Sequence, residues 1–180
     1  MGRDKAGLEW GGRTLLDRQL GLLEEVGARR LWVSVGRGRP RPRTVRADVM
    51  WWEDEERDAG PLAGIVGVLG RTDAVGLWVV AVDLPALDRA FLGEMLGRVG
   101  DGVGCVPRRE GNLEPLCAWY PVAAARVAGS RLVASGERAV WRLAETGLAE
   151  GWMRAWDVEK EKAGFLLNWN RPSDWHPAGA

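Results

Sequence analysis

The chain reads as an α/β protein, a Rossmann-like three-layer sandwich with a mostly parallel sheet and helices on both faces. Two observations predict it. Segments of strand character alternate with helical segments of about a dozen residues, the pattern of a parallel sheet joined by crossover helices. One strand, "GLWVVAVD", is an unbroken apolar run, as expected of a strand covered on both faces. The 180 residues suit a single domain, 1–180, with neither an internal repeat nor an interdomain linker.

In order, Leu15, Leu16, Leu20, Leu22, Leu23 and Val26 fall at helical spacing, and Gly27 ends that helix. "RLWVSV" is β-branched and aromatic, hence a strand, and "GRGRPRPR" is a loop. "TVRADVMWW" reads as a second strand and "EDEERDAG" as a charged loop. "PLAGIVGVLGRT" opens on a proline in the favoured first-turn position of a helix. "GLWVVAVD" follows, then a helix over "LPALDRAFLGEMLGRV" and strands at "VGCVP" and "PLCAWYP". Helices fill 121–134 and 137–149, "GFLLNWN" is a last strand, and "RPSDW" begins a short helix. The order is αββαβαββααβα, with a loop and a helix in front where such folds usually start with a strand.

Lys+Arg 25 against Asp+Glu 25 leaves a formal net charge of +0, so nothing global points to nucleic acid or an anionic membrane. Lysine stands only at 5, 160 and 162, and the Arg- and Gly-rich skew reflects a G+C-rich coding sequence. "RGRPRPR" is similar to the short core that lies in A·T-rich minor grooves, but the neutral chain and the strand in front argue against a nucleic-acid partner. No apolar stretch is long enough for a bilayer, and the front lacks a secretory segment. Ala6 stands where a myristoylation signal wants Ser or Thr. Cys105, Cys117 and His176 make neither a disulfide framework nor a zinc site. A cytoplasmic protein with buried, reduced thiols is expected. Trp51 and Trp52 are adjacent, so on a strand they face opposite sides, one of them exposed.

Ligands of open parallel sheets bind at the carboxyl ends of the strands. Asp83, in "VVAVDLP", stands at such an end. A carboxylate there suits Mg²⁺, which prefers oxygen ligands and keeps substrate phosphate in its shell. The other reading of Asp83 is the cap of a helix beginning near Pro85. In "DAGPLAGIVG", Gly60 and Gly64 flank a helix start whose free N–H groups can meet an anion or a base edge. Asp54 lies in the acidic run just before it, which on its own reads as a solvated face. In "NWNRPSDW", Asn168 and Asn170 project from one side of an extended segment, where two amides bind polar substrate groups or mark a turn.

Five stretches, "MGRDKA", "GPLAGI", "VDLPAL", "EPLCAWY" and "NWNRPSDW", occur in an order that resembles the molybdenum cofactor guanylyltransferases, the MobA-like NTP transferases. The first looks like the second half of that family's LAGGxSxRMGxDKA signature, and the last resembles its closing NxNTPEDL. The resemblance spans nearly the whole chain. It implies a fold of the nucleotide-diphospho-sugar-transferase type whose first strand and glycine-rich loop would lie upstream of Met1, on the order of fifteen residues. The expectation is an N-terminally truncated domain, from a misassigned start codon or a shortened gene, and the upstream reading frame tests it. By position, the resemblance makes Lys5 and Asp54 nucleotide contacts, and Asp83 both a nucleotide contact and the Mg²⁺ ligand. Lys5 and Asp83 are then the catalytic pair, with Asn168 and Asn170 on the substrate side. Ser34 falls where guanylyltransferases can carry Asn, and Arg171 replaces the usual Thr before proline. Related cytidylyltransferases tend to carry a histidine where "NLEPL" has none, which leans toward guanylyl transfer.

The implied activity moves GMP from GTP to molybdopterin and releases pyrophosphate, with molybdoenzymes or their chaperones as further partners. The absence of a His–Ser or His–Cys constellation agrees with a reaction that needs no protein nucleophile. The rivals are a cytidylyl- or sugar-phosphate nucleotidyltransferase and a non-catalytic remnant.

Overall fold

The computed structural model describes residues 5–55 and 59–169. A 3₁₀ turn at Lys5–Gly7 leads into a hairpin, β1 (Glu9–Trp10) and β2 (Arg13–Thr14), and then α1 (Leu15–Glu25). There follow β3 (Trp32–Val35), β4 (Met50–Glu53), α2 (Pro61–Leu69), β5 (Gly76–Val80) and α3 (Arg89–Leu96). The second half holds β6 (Gly104–Arg109), β7 (Asn112–Leu113), β8 (Cys117–Pro121), α4 (Val122–Ala134), α5 (Val140–Ala149), β9 (Met153–Asp157) and a 3₁₀ helix at Lys160–Leu166.

Local chemistry sets the helix starts. The Thr14 hydroxyl accepts the Asp17 N–H at 3.0 Å and begins α1. The Asp17 carboxylate in turn accepts the Thr44 hydroxyl at 2.5 Å and the Val45 N–H at 3.2 Å, which ties the long β3–β4 loop to that turn. Pro61 opens α2 behind Gly60, whose φ of 79° is a conformation that favours glycine. Asp88 caps α3 by accepting the Phe91 N–H at 2.8 Å.

The strands form two larger groups, and most pairings are not parallel. β3 and β4 make a parallel pair, and a five-stranded sheet runs β5-β8-β6-β7 with β9 on the other side of β6. Within that sheet only β6–β9 is parallel; β5–β8, β6–β8 and β6–β7 are antiparallel. The expected mostly parallel sheet is therefore a mixed one. The reason lies in the connection. Glu110 (φ 51°) and Gly111 (φ 84°) turn β6 straight back into β7. The short stretch before β8 cannot hold the dozen or more residues that a parallel crossover needs.

Other expectations shift as well. "GFLLNWN" is not a strand: its front half lies in the 3₁₀ helix, with Leu166 fully buried, and the last strand is β9. Of "TVRADVMWW" only the end is strand. Trp51 packs with Leu16 and Leu20, and Trp52 lies against Gly67 with the Arg71 guanidinium 3.8 Å above its ring. The two indoles do face opposite sides, but both are half-buried rather than one being exposed. Cys105 and Cys117 are fully buried free thiols, and burial pushes Cys105 up to about 11. The helix expected at "RPSDW" lies outside the described residues. Among the described residues no helix is long and apolar enough to cross a membrane.

One large core lies under α2, α4 and α5 against β6 and β8, and a second joins α3 to β6, β8 and β9. A smaller cluster, Ala6, Leu16, Leu20, Leu31 and Val49, lies under α1. Between β3 and β5, with α1 on one side and α2 on the other, is a cavity of about 900 Å³. All five residues of β5 are only half-buried, although its sequence has the character of a strand covered on both faces.

Candidate active site

Asp83 lies just past the carboxyl end of β5, in a turn rather than at a helix start. The cap reading is excluded, because α3 starts at Arg89 and Asp88 caps it. The Lys5 ammonium donates to Asp83 Oδ2 at 2.8 Å, and 22% of the Asp83 side chain is accessible. From the other end of the chain, the Trp169 N–H donates to the Asp83 carbonyl at 2.9 Å. Three motifs far apart in sequence thus meet at one turn, and Asn168 comes with them, exposed beside Trp169. Asn170 lies outside the described residues.

Glu114, which the sequence reading passed over, belongs to this neighbourhood. Burial pushes its carboxyl above the usual range; the Arg109 guanidinium, 3.3 Å away, opposes the rise, and the Asp83 carboxylate adds to it. The sequence signal is an acidic residue before proline, leading into the apolar "LCAWY" strand.

Asp54 lies across the cavity, one residue beyond β4. Its Oδ1 is buried without a hydrogen-bond partner. Burial pushes its carboxyl up, and the neighbouring Ser34 hydroxyl partly offsets the rise. Gly64 of α2 makes room for this pair: a Cβ there would lie 2.3 Å from Ser34 Oγ and 3.4 Å from Asp54 Oδ1. The cavity is lined at this end by Asp54, by Gly60 and Pro61 at the start of α2, and by Arg37 and Arg39 after β3. The arginine-rich stretch thus folds over the strand end, with Arg37 donating to the Glu55 carbonyl at 2.5 Å. Ala81 and Val82 line the cavity too, whereas Asp83 and Lys5 stand beside it. The structure thus pairs Lys5 with Asp83 and Asp54 with Ser34, as two separate pairs.

The chemistry of the donors fits a shared divalent cation rather than a caged one. Among the described residues no group of three or more His, Cys, Asp or Glu could hold a metal alone. Mg²⁺-type sites typically use one or two carboxylates and leave the rest of the shell to water and phosphate. Asp83, with 22% of its side chain accessible, could supply one such carboxylate.

The chain is 40% identical over 177 residues to an Opitutus terrae protein named "Probable molybdenum cofactor guanylyltransferase", covering 97% of this chain and 86% of that one. Its fold is similar to that of molybdopterin-guanine dinucleotide biosynthesis protein A from Archaeoglobus fulgidus. That match has a TM-score of 0.67 at 20% identity, over 96% of this chain and 87% of the other. A Mycobacterium tuberculosis protein solved as a complex with manganese matches with a TM-score of 0.59 at 23% identity, over 87% and 83% of the two chains. Residues 1–150 match the MobA-like NTP transferase domain. With this match over most of its length and a 40%-identical relative covered to 86%, the chain is a member of the MobA-like NTP transferase family.

Proposed function

We propose that this chain transfers GMP from GTP to molybdopterin, a reading supported by its 40%-identical relative, named "Probable molybdenum cofactor guanylyltransferase". The observation that carries the reading is the Asp83 carboxylate, placed just past β5 and paired with the Lys5 ammonium at 2.8 Å. A terminal phosphate oxygen of molybdopterin attacks the α-phosphorus of GTP, the bond to the bridging oxygen breaks, and pyrophosphate leaves. Asp83, with Glu114 behind it, would hold Mg²⁺ or Mn²⁺. When bound, the cation lowers the repulsion between the two polyanions and stabilises charge on the transferring group. Lys5 supplies a second positive charge at the same place, and no protein nucleophile is used. The Asp54–Ser34 pair and the start of α2 receive the guanine side of the nucleotide, where the unpaired Asp54 Oδ1 accepts N–H donors. Asn168 and Asn170 are the amides this reading assigns to acceptor binding. In this reading residues 1–180 form one catalytic domain acting in the cytoplasm, and its product passes to molybdoenzymes or their chaperones.

Asp83→Ala tests the reading. Transfer to molybdopterin and divalent-dependent GTP binding should fall at least about a hundredfold, the usual scale for a lost electrostatic group. The thermal melt should stay within about 0.5 kcal/mol of the parent, as for a change outside the core. Unchanged GTP binding with Asp83 removed would end the assignment. One observation favours a second reading, that of a non-catalytic chain: the open cavity leaves β5 half-covered. Titrating GTP with Mn²⁺ decides between them, since such a chain shows no saturable binding.

A further inference from the structure

The stretch "GRGRPRPR", a loop by its glycines and prolines, begins as a fixed turn. β3 ends at Val35, whose carbonyl accepts the Asp54 N–H at 3.0 Å, and the chain reverses at once. The Arg39 N–H donates to the Gly36 carbonyl at 3.0 Å, and Gly38 takes a φ of 72°, a conformation that favours glycine. Two bonds strap this turn to the end of β4. The Gly38 N–H donates to Glu53 Oε1 at 2.8 Å, and Arg37 donates to the Glu55 carbonyl. Asp54 stands between those two anchors.

The same turn positions Arg39. Gly36 has no side chain, so the Arg39 stem lies over it: a Cβ on Gly36 would stand 3.3 Å from Arg39 Cδ and Nε. Pro40 narrows the Arg39 backbone toward the extended region. Arg37 and Arg39 both line the cavity. Arg37 is engaged with Glu55, whereas the Arg39 guanidinium has neither a hydrogen bond nor an ion pair among the described residues. In the same cavity the buried Asp54 Oδ1 has no hydrogen-bond partner, and Asp54 forms no ion pair with Arg39. Two opposite charges thus share one cavity without meeting: a planar fork that only donates and a carboxylate that only accepts. A ligand that joins them carries adjacent acceptors on one edge and adjacent donors on the next.

We propose that Arg39 is a specificity-determining residue that selects guanine among the nucleobases. Its fork takes the N7 and O6 acceptors, and Asp54 takes the N1–H and 2-amino donors. Of the common bases only guanine presents that pair of edges. Adenine puts its 6-amino donor against the fork and its N1 acceptor against the carboxylate, and a pyrimidine has no N7. The inference rests on the GTP reading proposed above and adds to it the residue that reads the second edge of the base.

The test is calorimetric titration of the whole chain, with Mn²⁺, against GTP, 7-deaza-GTP and ITP. The first analogue lacks only the N7 acceptor, the second only the 2-amino donor. The parent should bind GTP about tenfold more tightly than 7-deaza-GTP, the scale of one bond lost from a bidentate pair. Arg39→Met, which keeps the stem and removes the fork, should bind those two alike and still prefer GTP to ITP. Gly36→Ala, which crowds the Arg39 stem, should lose part of the N7 preference. Arg41→Met removes the same charge from the same loop, where Arg41 lies over Trp51, and should keep the full preference. A preference for GTP over 7-deaza-GTP that survives Arg39→Met would overturn the proposal, as would a parent that binds the two alike. Loss of the preference in Arg41→Met would assign it to net charge, and joint loss of both preferences in Arg39→Met would assign it to a loosened cavity; either overturns the proposal. All of these outcomes leave GTP binding itself in place and the catalytic reading standing, whereas a parent that binds no GTP would end both.

Discussion

The two flanks of β5 have the same kind of side chains and opposite surroundings. On one flank lie β8 and β6, whose Cys105, Val106, Cys117, Ala118 and Tyr120 are all 0% exposed. On the other flank lie the cavity and then β3 and β4, where only Val35 is buried. β5 is as apolar as its neighbours and stays half-covered. What buries a strand is the continuity of the ladder and of the helices over it, not the composition of the strand alone. The covered flank is fixed by helices packed on both faces, and the open one by α1 and α2 reaching across a gap.

That contrast predicts unequal costs for equal chemistry. Leu92→Ala, in the fully buried cluster under α3, should cost about 3–4 kcal/mol, the range for a core leucine. Leu23→Ala, on the cavity wall, should cost no more than about 1 kcal/mol, because no closed cavity is left behind. Urea unfolding of both variants checks the pair, and equal losses would mean that the gap is as well packed as the core. Gly64→Ala acts on the cavity bank directly. Its methyl would push the Ser34 hydroxyl off Asp54 and weaken GTP binding by about tenfold, or ~1.4 kcal/mol, with little change in melting. Calorimetric titration reads it, and unaltered affinity would remove the Ser34–Asp54 pair from the base side.

The smallest effect is a pH dependence. Burial raises the carboxyl of Asp54 above its usual 3.8 in the folded chain. Its stabilising share is therefore full below 3.8 and is lost as pH rises through the folded value. Asp54→Asn removes that loss. The variant should be more stable at pH 7 by about 1 kcal/mol, the low end for an unpaired buried acceptor that is only partly covered. The gap should close below pH 4, as thermal melts across pH would show. A constant gap at all pH values would assign the effect to packing.

Periodicity and caps made the helices legible. α1, α2, α4 and α5 stand close to where Leu15–Val26, Pro61 and the apolar spacing put them. Strand direction was not legible, since nothing in "CVPRREGNLEPLCAWY" announces in isolation that Glu110 takes a positive φ and turns the chain back. β9, "MRAWD", was missed because it carries two charges in five residues, and the more apolar "GFLL" that follows took its place in the reading. Of the candidate site, Asp83 and Lys5 were readable as motif residues, but their contact spans 78 positions and only the fold could show it. Glu114 was hidden for the same reason: its importance comes from its neighbours in space.

The Lys5–Asp83 ion pair also says something about timing. The carboxylate is partly covered by an ammonium on a flexible four-carbon arm. Uncovering it takes a side-chain swing, a matter of picoseconds to nanoseconds, and not the microsecond-to-millisecond opening of a lid. In the site proposed above, access to Asp83 thus turns on a single lysine side chain.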